Sequence, residues 1–162
     1  MDAIAVKIIK DTPPRLFTVF DNYRPPVYLI TFCAMNRKKC LDCQHVHNAF
    51  REYCLEAGRL GKASVGRYVL MPDHIHLFVR LSAELKLSIW MRGMKRYISK
   101  KKDSDGTDRV VWQPGFFDHL MRSSESYIEK SNYVFMNPLR ARLVQRPEDW
   151  PYKGEISELY MP

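Results

Sequence analysis

Residues 64–79 constrain the fold more than any other part of the chain. Ser64-Val-Gly-Arg-Tyr-Val-Leu70 and His74-Ile-His-Leu-Phe-Val79 are two β-rich runs with only Met71, Pro72 and Asp73 between them. Pro72-Asp73 supplies turn chemistry, so the runs predict a tight antiparallel hairpin. A segment with helical spacing lies on each side of it. The first, 44–57, stops near Gly58 and Gly61; the second, 85–100, sets Leu87, Trp90, Met94, Tyr97 and Ile98 on one side. A β-rich run at 27–34 precedes the first helix, and a strand region at 110–122, broken by Pro-Gly, follows the second. The order β-α-β-β-α-β predicts an α+β domain: a ferredoxin-like (RRM-like) split β-α-β antiparallel sheet with both helices on one face.

Within the hairpin, strand periodicity sends His74, His76 and Phe78 one way and Ile75, Leu77 and Val79 the other, into a core. Two imidazoles side by side can hold one divalent cation. The competing reading is two polar residues on the wet face of an antiparallel strand. One helix remains beyond the split-sheet set. Ser126 and Glu129 have capping-box spacing, which predicts a start near 124–126, and Pro138 predicts an end or kink near Asn137. At about 100° per residue, Tyr127, Ile128, Val134 and Phe135 share an arc of about 120°, the expected core face. Tyr133 falls on the far side, flanked by Glu129, Lys130 and Asn137. Asn137 is four residues on, which sets its amide beside the Tyr133 ring. The alternative is a surface tyrosine with an exposed amide next to it.

The chain's 162 residues allow one domain with a sizeable core, and its 26 basic against 18 acidic side chains leave a net charge of +8. That excess favours a polyanionic partner, most simply nucleic acid. No segment has the roughly 18 apolar residues of a membrane span and no signal-peptide pattern opens the chain, so no membrane association is expected. A cytoplasmic, nucleoid-associated location with reduced cysteines follows. Residues 1–26 hold four prolines and little periodicity, and read as an N-terminal extension. Cys40, Cys43, His45 and His47 could bind zinc. Such sites usually draw their pairs from separated segments, and the alternative is a set of half-buried thiols at a helix start.

Four ordered stretches bring these features together: 68–79 (Tyr68 to Val79, holding Met71-Pro-Asp-His-Ile-His76), Trp112-Gln-Pro-Gly-Phe-Phe-Asp-His-Leu-Met-Arg122, Tyr133-Val-Phe-Met-Asn-Pro-Leu-Arg-Ala-Arg-Leu-Val144, and Asp149-Trp-Pro151. Together they resemble the single-tyrosine HUH transposases, in particular the REP-associated tyrosine transposases. The likeness covers roughly 27–152 and leaves a C-terminal tail at 153–162. It implies that His74, His76 and Asn137 hold a divalent metal and that Tyr133 is the nucleophile. Mg²⁺ or Mn²⁺ is the ion the resemblance implies, whereas imidazole ligands taken alone favour Mn²⁺ or Zn²⁺. It also implies a 5′-phosphotyrosine intermediate on single-stranded or hairpin DNA, formed by a monomer or a homodimer, and an additional active-site helix on the split sheet. Arg92, Lys95, Arg96, Lys100, Lys101 and Lys102 could then line a phosphate track, with Arg140 and Arg142 just beyond the active helix. Their alternative is a solvated helix face. Two other functions remain open on sequence: a non-catalytic nucleic-acid-binding module on the same fold, and a hydrolytic metal-dependent nuclease that does not use Tyr133. His119 reads as structural or DNA-contacting, and Trp112 as core.

Overall fold

The computed structural model describes residues 24–103, 106 and 108–161. Strand β1 (Val27–Cys33) leads into α1 (Gln44–Arg59), then the hairpin of β2 (Ala63–Leu70) and β3 (His74–Leu81), then α2 (Leu87–Asp103). A short strand β4 (Phe117–Leu120), the helix α3 (Ser124–Phe135), a single turn α4 (Asn137–Arg140) and a last strand β5 (Lys153–Glu155) complete the order. All strands pair antiparallel in one sheet ordered β4-β1-β3-β2-β5. This is the split β-α-β arrangement expected from the element order, with one strand added. The extension expected at 1–26 lies mostly outside the described residues. The segment 153–162, set apart on sequence as a tail, supplies β5 and buries Leu159.

The sheet is apolar on both faces. Ile30, Phe32, Tyr68, Leu70, Ile75, Leu77 and Val79 are buried with Phe50, Trp90, Met94 and Ile98 under α1 and α2. Opposite them, Val27, Val69 and Phe78 are buried with Tyr127, Val134 and Trp150. Each such side chain contributes roughly 1.5–3 kcal/mol on burial, so this face holds a second core and is not a wet surface at Phe78. Helix α2 also runs further than expected. Lys101 and Lys102, beyond the expected end at residue 100, join Lys100 in its last turn, where positive charge favours the carbonyl end of the helix.

Helix α3 begins at Ser124, inside the expected 124–126, but it is not capped by the Ser126–Glu129 pair. Ser123 is the cap, its Oγ accepting from the Ser126 amide at 3.1 Å. The buried stripe is Tyr127, Ser131 and Val134, and Ile128, expected on the core face, is 57% exposed. The small Ser131 takes the place that hydrophobicity alone assigns to Ile128, because a charged side chain from the sheet reaches it. The β2–β3 register shifts between Val65 and Tyr68, a one-residue bulge. Gly66 lies there under Leu159, where a Cβ would come within 2.7 Å of that side chain. The bulge turns Arg67 toward α3, where it donates to Ser131 Oγ (3.2 Å) and Asn132 Oδ1 (3.1 Å) and lies 5.1 Å from the Phe135 ring centroid. Arg67→Ala is expected to cost about 1–2 kcal/mol in urea unfolding and to raise amide exchange selectively in α3.

The cysteine–histidine cluster resolves differently from a zinc site. His47 Nε2 pairs with the Tyr68 hydroxyl at 2.9 Å, and Arg51 donates to the same oxygen at 2.9 Å, which leaves the hydroxyl proton for the imidazole. Among the described residues no group of three or more His, Cys, Asp or Glu is arranged to hold a metal. Burial, then the Arg51 charge, lowers the His47 pKa from 6.5. A folded-state value below the unfolded one gives stability that is present above about pH 6.5 and is lost progressively as pH falls from there through the lowered folded-state value. Urea midpoints should therefore drop between pH 7.5 and 5.5, and His47→Gln, which cannot titrate, should reduce that drop.

Candidate active site

The site begins with the parity of β3. His74 and His76 share a sheet face, and their Nε2 atoms approach to 3.0 Å. Each ring is held from behind. His76 Nδ1 meets Thr31 Oγ1 at 2.7 Å, across the strand pair in which Thr31 lies directly opposite His76. His74 Nδ1 meets Asp73 Oδ1 at 2.6 Å. Arg37 donates from Nε to Asp73 Oδ2 at 2.8 Å and from Nη1 to Cys33 Sγ at 2.9 Å. Asn36 and Arg37 both take left-handed backbone angles, φ 53° and 55°, which cost non-glycine residues energy and recur at functional positions. Burial opposes ionisation of Asp73, but His74 and Arg37 outweigh it and hold the carboxyl below its usual range.

These contacts set the proton pattern. An ionised Asp73 accepts from His74 Nδ1, leaving His74 Nε2 as an acceptor. His76 Nε2 then donates to it, and Thr31 donates to His76 Nδ1. Burial first, then the His74 and Arg37 charges, pushes the His76 pKa down to about 3, so its ring is neutral near pH 7. Imidazoles whose outward Nδ1 atoms are held by a carboxylate and a hydroxyl match the outer shell of metal-binding histidines. Adjacent ligands on an octahedral ion with bonds of about 2.1 Å lie about 3.0 Å apart, so the observed pair fits a divalent cation. Binding requires that the His76 proton move from Nε2 to Nδ1 and that the Thr31 hydroxyl rotate to accept it there.

Helix α3 forms the facing wall. His76, Leu29, Glu129, Lys130, Tyr133 and Asn137 line one open cleft of about 560 Å³. Tyr133 is 57% exposed, and the Arg140 guanidinium lies 4.0 Å from its ring centroid. The helix breaks at Met136, the cap shared by α3 and α4, so Asn137 opens a new turn while staying on the cleft side. The histidine pair and the Tyr133–Asn137 pair, singled out separately on sequence, thus meet at one cleft, with His74 joined through His76. Thr31, Asp73, Arg37 and Arg67 were not found on sequence. Only Asp73 carried a local signal, as the residue beside His74.

The expected phosphate track on α2 is placed elsewhere. Helix α2 packs on the opposite face of the sheet from the histidines. Lys95 donates to the carbonyls of Gln113 and Gly115, Lys102 donates to that of Cys40, and Lys101 pairs with Glu52 at 3.1 Å. Arg92, Arg96 and Lys100 are exposed on that layer, and Arg142 is exposed beyond α4.

The profile of the family described as Transposase IS200 like matches residues 26–134, from the edge of β1 to the last turn of α3. That span is well over half of the chain, and the chain belongs to this family, a class of enzymes that cleave and join DNA. It contains Tyr133 and stops short of Asn137. Among similar proteins, one from Haemophilus influenzae, described as a candidate REP-associated tyrosine transposase, is 23% identical over 139 residues, covering 79% of this chain and 78% of that protein. The REP-associated tyrosine transposase of Escherichia coli K12 is 25% identical over 89 residues, 54% of this chain and about half (52%) of its own length. A solved REP-associated tyrosine transposase bound to a REP hairpin shares the fold with a TM-score of 0.65 at 22% identity, covering 81% of this chain and 77% of that one. The resemblance drawn from the sequence motifs therefore stands. Among the described residues no helix is long and apolar enough to cross a membrane.

Proposed function

We propose that the chain cuts and rejoins single-stranded or hairpin DNA, with Tyr133 as nucleophile and His74, His76 and Asn137 as ligands of a divalent cation, Mg²⁺ or Mn²⁺. The observation that carries this reading is the shared cleft, in which His76, Tyr133 and Asn137 line one opening and His74 Nε2 sits 3.0 Å from His76 Nε2. When bound there, a cation would withdraw charge from a non-bridging phosphate oxygen, which a phosphodiester needs before an anionic nucleophile can approach.

The remaining work falls to side chains. Tyr133 Oη, on losing its proton, forms a bond to phosphorus while the bond from phosphorus to the 3′-oxygen breaks. The products are a 5′-phosphotyrosine link and a free 3′-hydroxyl. The link keeps the energy of the broken bond, so a second 3′-hydroxyl can reverse the step and join strands without ATP. Asp73 holds the His74 ring with Nε2 toward the site, and Thr31, by accepting from His76 Nδ1, would hold His76 in the tautomer whose Nε2 can take the cation. Arg140, packed on the tyrosine ring, restricts the ring's rotation and brings positive charge to the phosphate. Residues 27–152 form the catalytic unit in this reading, with 1–26 and 153–162 as additions to it. Arg142 and the α2 cations Arg92, Lys95, Arg96, Lys100, Lys101 and Lys102 would serve DNA that passes round the sheet from the cleft. One nucleophilic tyrosine per chain suffices for a single cut, and two coupled cuts need a homodimer.

The test is incubation with end-labelled hairpins carrying single-stranded tails, taken from the DNA flanking the chain's own gene, with Mn²⁺ or Mg²⁺. A protein–DNA adduct that survives denaturation is expected, and cleavage without any adduct would overturn the covalent mechanism.

A further inference from the structure

The sheet face that holds the histidines continues beyond them. Thr31 pairs with His76 on one side and with Phe117 on the other, so the three residues form one row across β3, β1 and β4. Directly paired residues stand on the same face, and the Thr31–His76 hydrogen bond shows which face that is. Phe117 is therefore on the active face, two strand spacings or about 10 Å from His76. His119 stands on the same face opposite Leu29, which lines the cleft.

The large apolar side chains elsewhere on this face, Val69, Met71 and Phe78, are buried with α3 and the segment after it. Phe117 is 67% exposed. A single exposed ring is ordinary on a protein surface; its position here is less so. Edge strands usually show charged side chains that discourage pairing, whereas β4 presents Phe117 and His119 in register with the cleft and turns Asp118 to the other face. The ring is also backed by a fixed structure. Gln113 donates to the Cys33 carbonyl at 2.9 Å, and the chain then swings away through Pro114 and Gly115, whose φ is 74°. This opens a depression of about 170 Å³ between Thr31, Cys33, Gly115 and Phe117. Lys95 holds the bulge from behind through its two carbonyl contacts. The cations Lys130 and Arg140 border the cleft, and the half-exposed Arg37 borders the histidines, a charge pattern suited to phosphates running along the row.

We infer that Phe117, with the depression beside it, is a stacking platform for one unpaired nucleobase flanking the scissile phosphate. Single-stranded DNA is thereby seated across the sheet from β4 to the cleft. Aromatic stacking tolerates every base, so the platform selects for an unpaired base at that position and not for its identity. The inference rests on the proposed reading of the cleft as the strand-cleaving site.

The test uses the full chain in EDTA, so that no chemistry is required, with a tailed hairpin from the DNA flanking its own gene. 2-Aminopurine replaces successive tail positions. One position is expected to be quenched on binding by the wild type and by Phe117→Trp. Phe117→Leu should lose that quench and bind about tenfold more weakly, with its far-UV spectrum unchanged. Equal quenching and affinity in Phe117→Leu would overturn the inference. So would a Phe117→Leu effect confined to sedimentation of the free protein, which would mark β4 as a contact between copies of the chain. A platform that survives in a protein forming no adduct with Mn²⁺ would sink the nucleophile assignment alone; absence of binding to any tailed hairpin would sink both.

Discussion

Tyr133→Phe is expected to abolish the denaturation-resistant adduct and to lower strand cleavage by about 10⁴-fold or more, with folding unchanged. The substitution removes a single oxygen. If that oxygen is the nucleophile, no other phenol lines the cleft: the remaining polar groups of its helical wall are the Ser126 hydroxyl, whose proton is far less acidic, and the carboxylate, amine and amide of Glu129, Lys130 and Asn137. Deleting a nucleophile typically removes most of an enzyme's rate enhancement, leaving the part that comes from binding and charge stabilisation. Stability should move by less than about 0.5 kcal/mol, since Tyr133 is 57% exposed and its ring packing on Arg140 is kept by phenylalanine. Hairpin affinity should be unchanged for the same reason. The informative comparison is therefore adduct formation, total cleavage and binding measured on one preparation. Loss of the first two with the third intact supports the covalent route. Cleavage that persists in the variant would identify a hydrolytic nuclease instead.

The parts of this site that could be read from sequence are those governed by local periodicity. Period two along 74–79 places both histidines on one face, and an interval of four places Asn137 beside Tyr133. Those rules need no knowledge of what packs against the segment. Thr31 is different: it becomes the partner of His76 only through the β1–β3 register, a pairing 45 residues apart that nothing near Thr31 announces. Arg37 depends on two left-handed residues at the end of β1, and its sequence context, Asn36-Arg37-Lys38, has the composition of any polar turn. Arg67 reaches α3 only because of the bulge at Gly66, and that contact in turn makes Ser131 a buried position and leaves Ile128 outside. Strand β5 has no apolar run to signal it: Lys153-Gly154-Glu155 is a strand because Arg67, Tyr68 and Val69 offer it a free edge. The α2 cations show the reverse case. Their helical face was legible, but their distance from the cleft follows from the parity of β3, whose Ile75 and Leu77 face α1 and α2 while the histidines face away.

His76→Ala should produce the second large effect, a loss of cleavage of about 10³-fold accompanied by a loss of Mn²⁺ binding measurable without DNA, by calorimetry or by the Mn²⁺ paramagnetic resonance signal. The ring supplies one of two imidazole ligands in the proposed set, and Asn137 with His74 alone is too weak a pair to hold a divalent ion at micromolar concentration. A merely structural role predicts something else. His76 is partly buried and bonded to Thr31 and His74, so a structural histidine would show its loss in unfolding midpoint with metal affinity, where present, untouched. Thr31→Val separates the readings further. It keeps the shape and the strand preference of the position but removes the oxygen that holds His76 Nδ1, and outer-shell losses of this kind cost about 10- to 100-fold in metal affinity. The expected order in Mn²⁺ affinity is wild type, then Thr31→Val, then His76→Ala, with cleavage following the same order and hairpin binding in EDTA equal in all three. Cleavage in Thr31→Val that recovers as Mn²⁺ is raised would locate the defect in ion binding. A defect that excess Mn²⁺ leaves unchanged would instead place Thr31 in the geometry of the bound strand and withdraw the outer-shell role assigned to it.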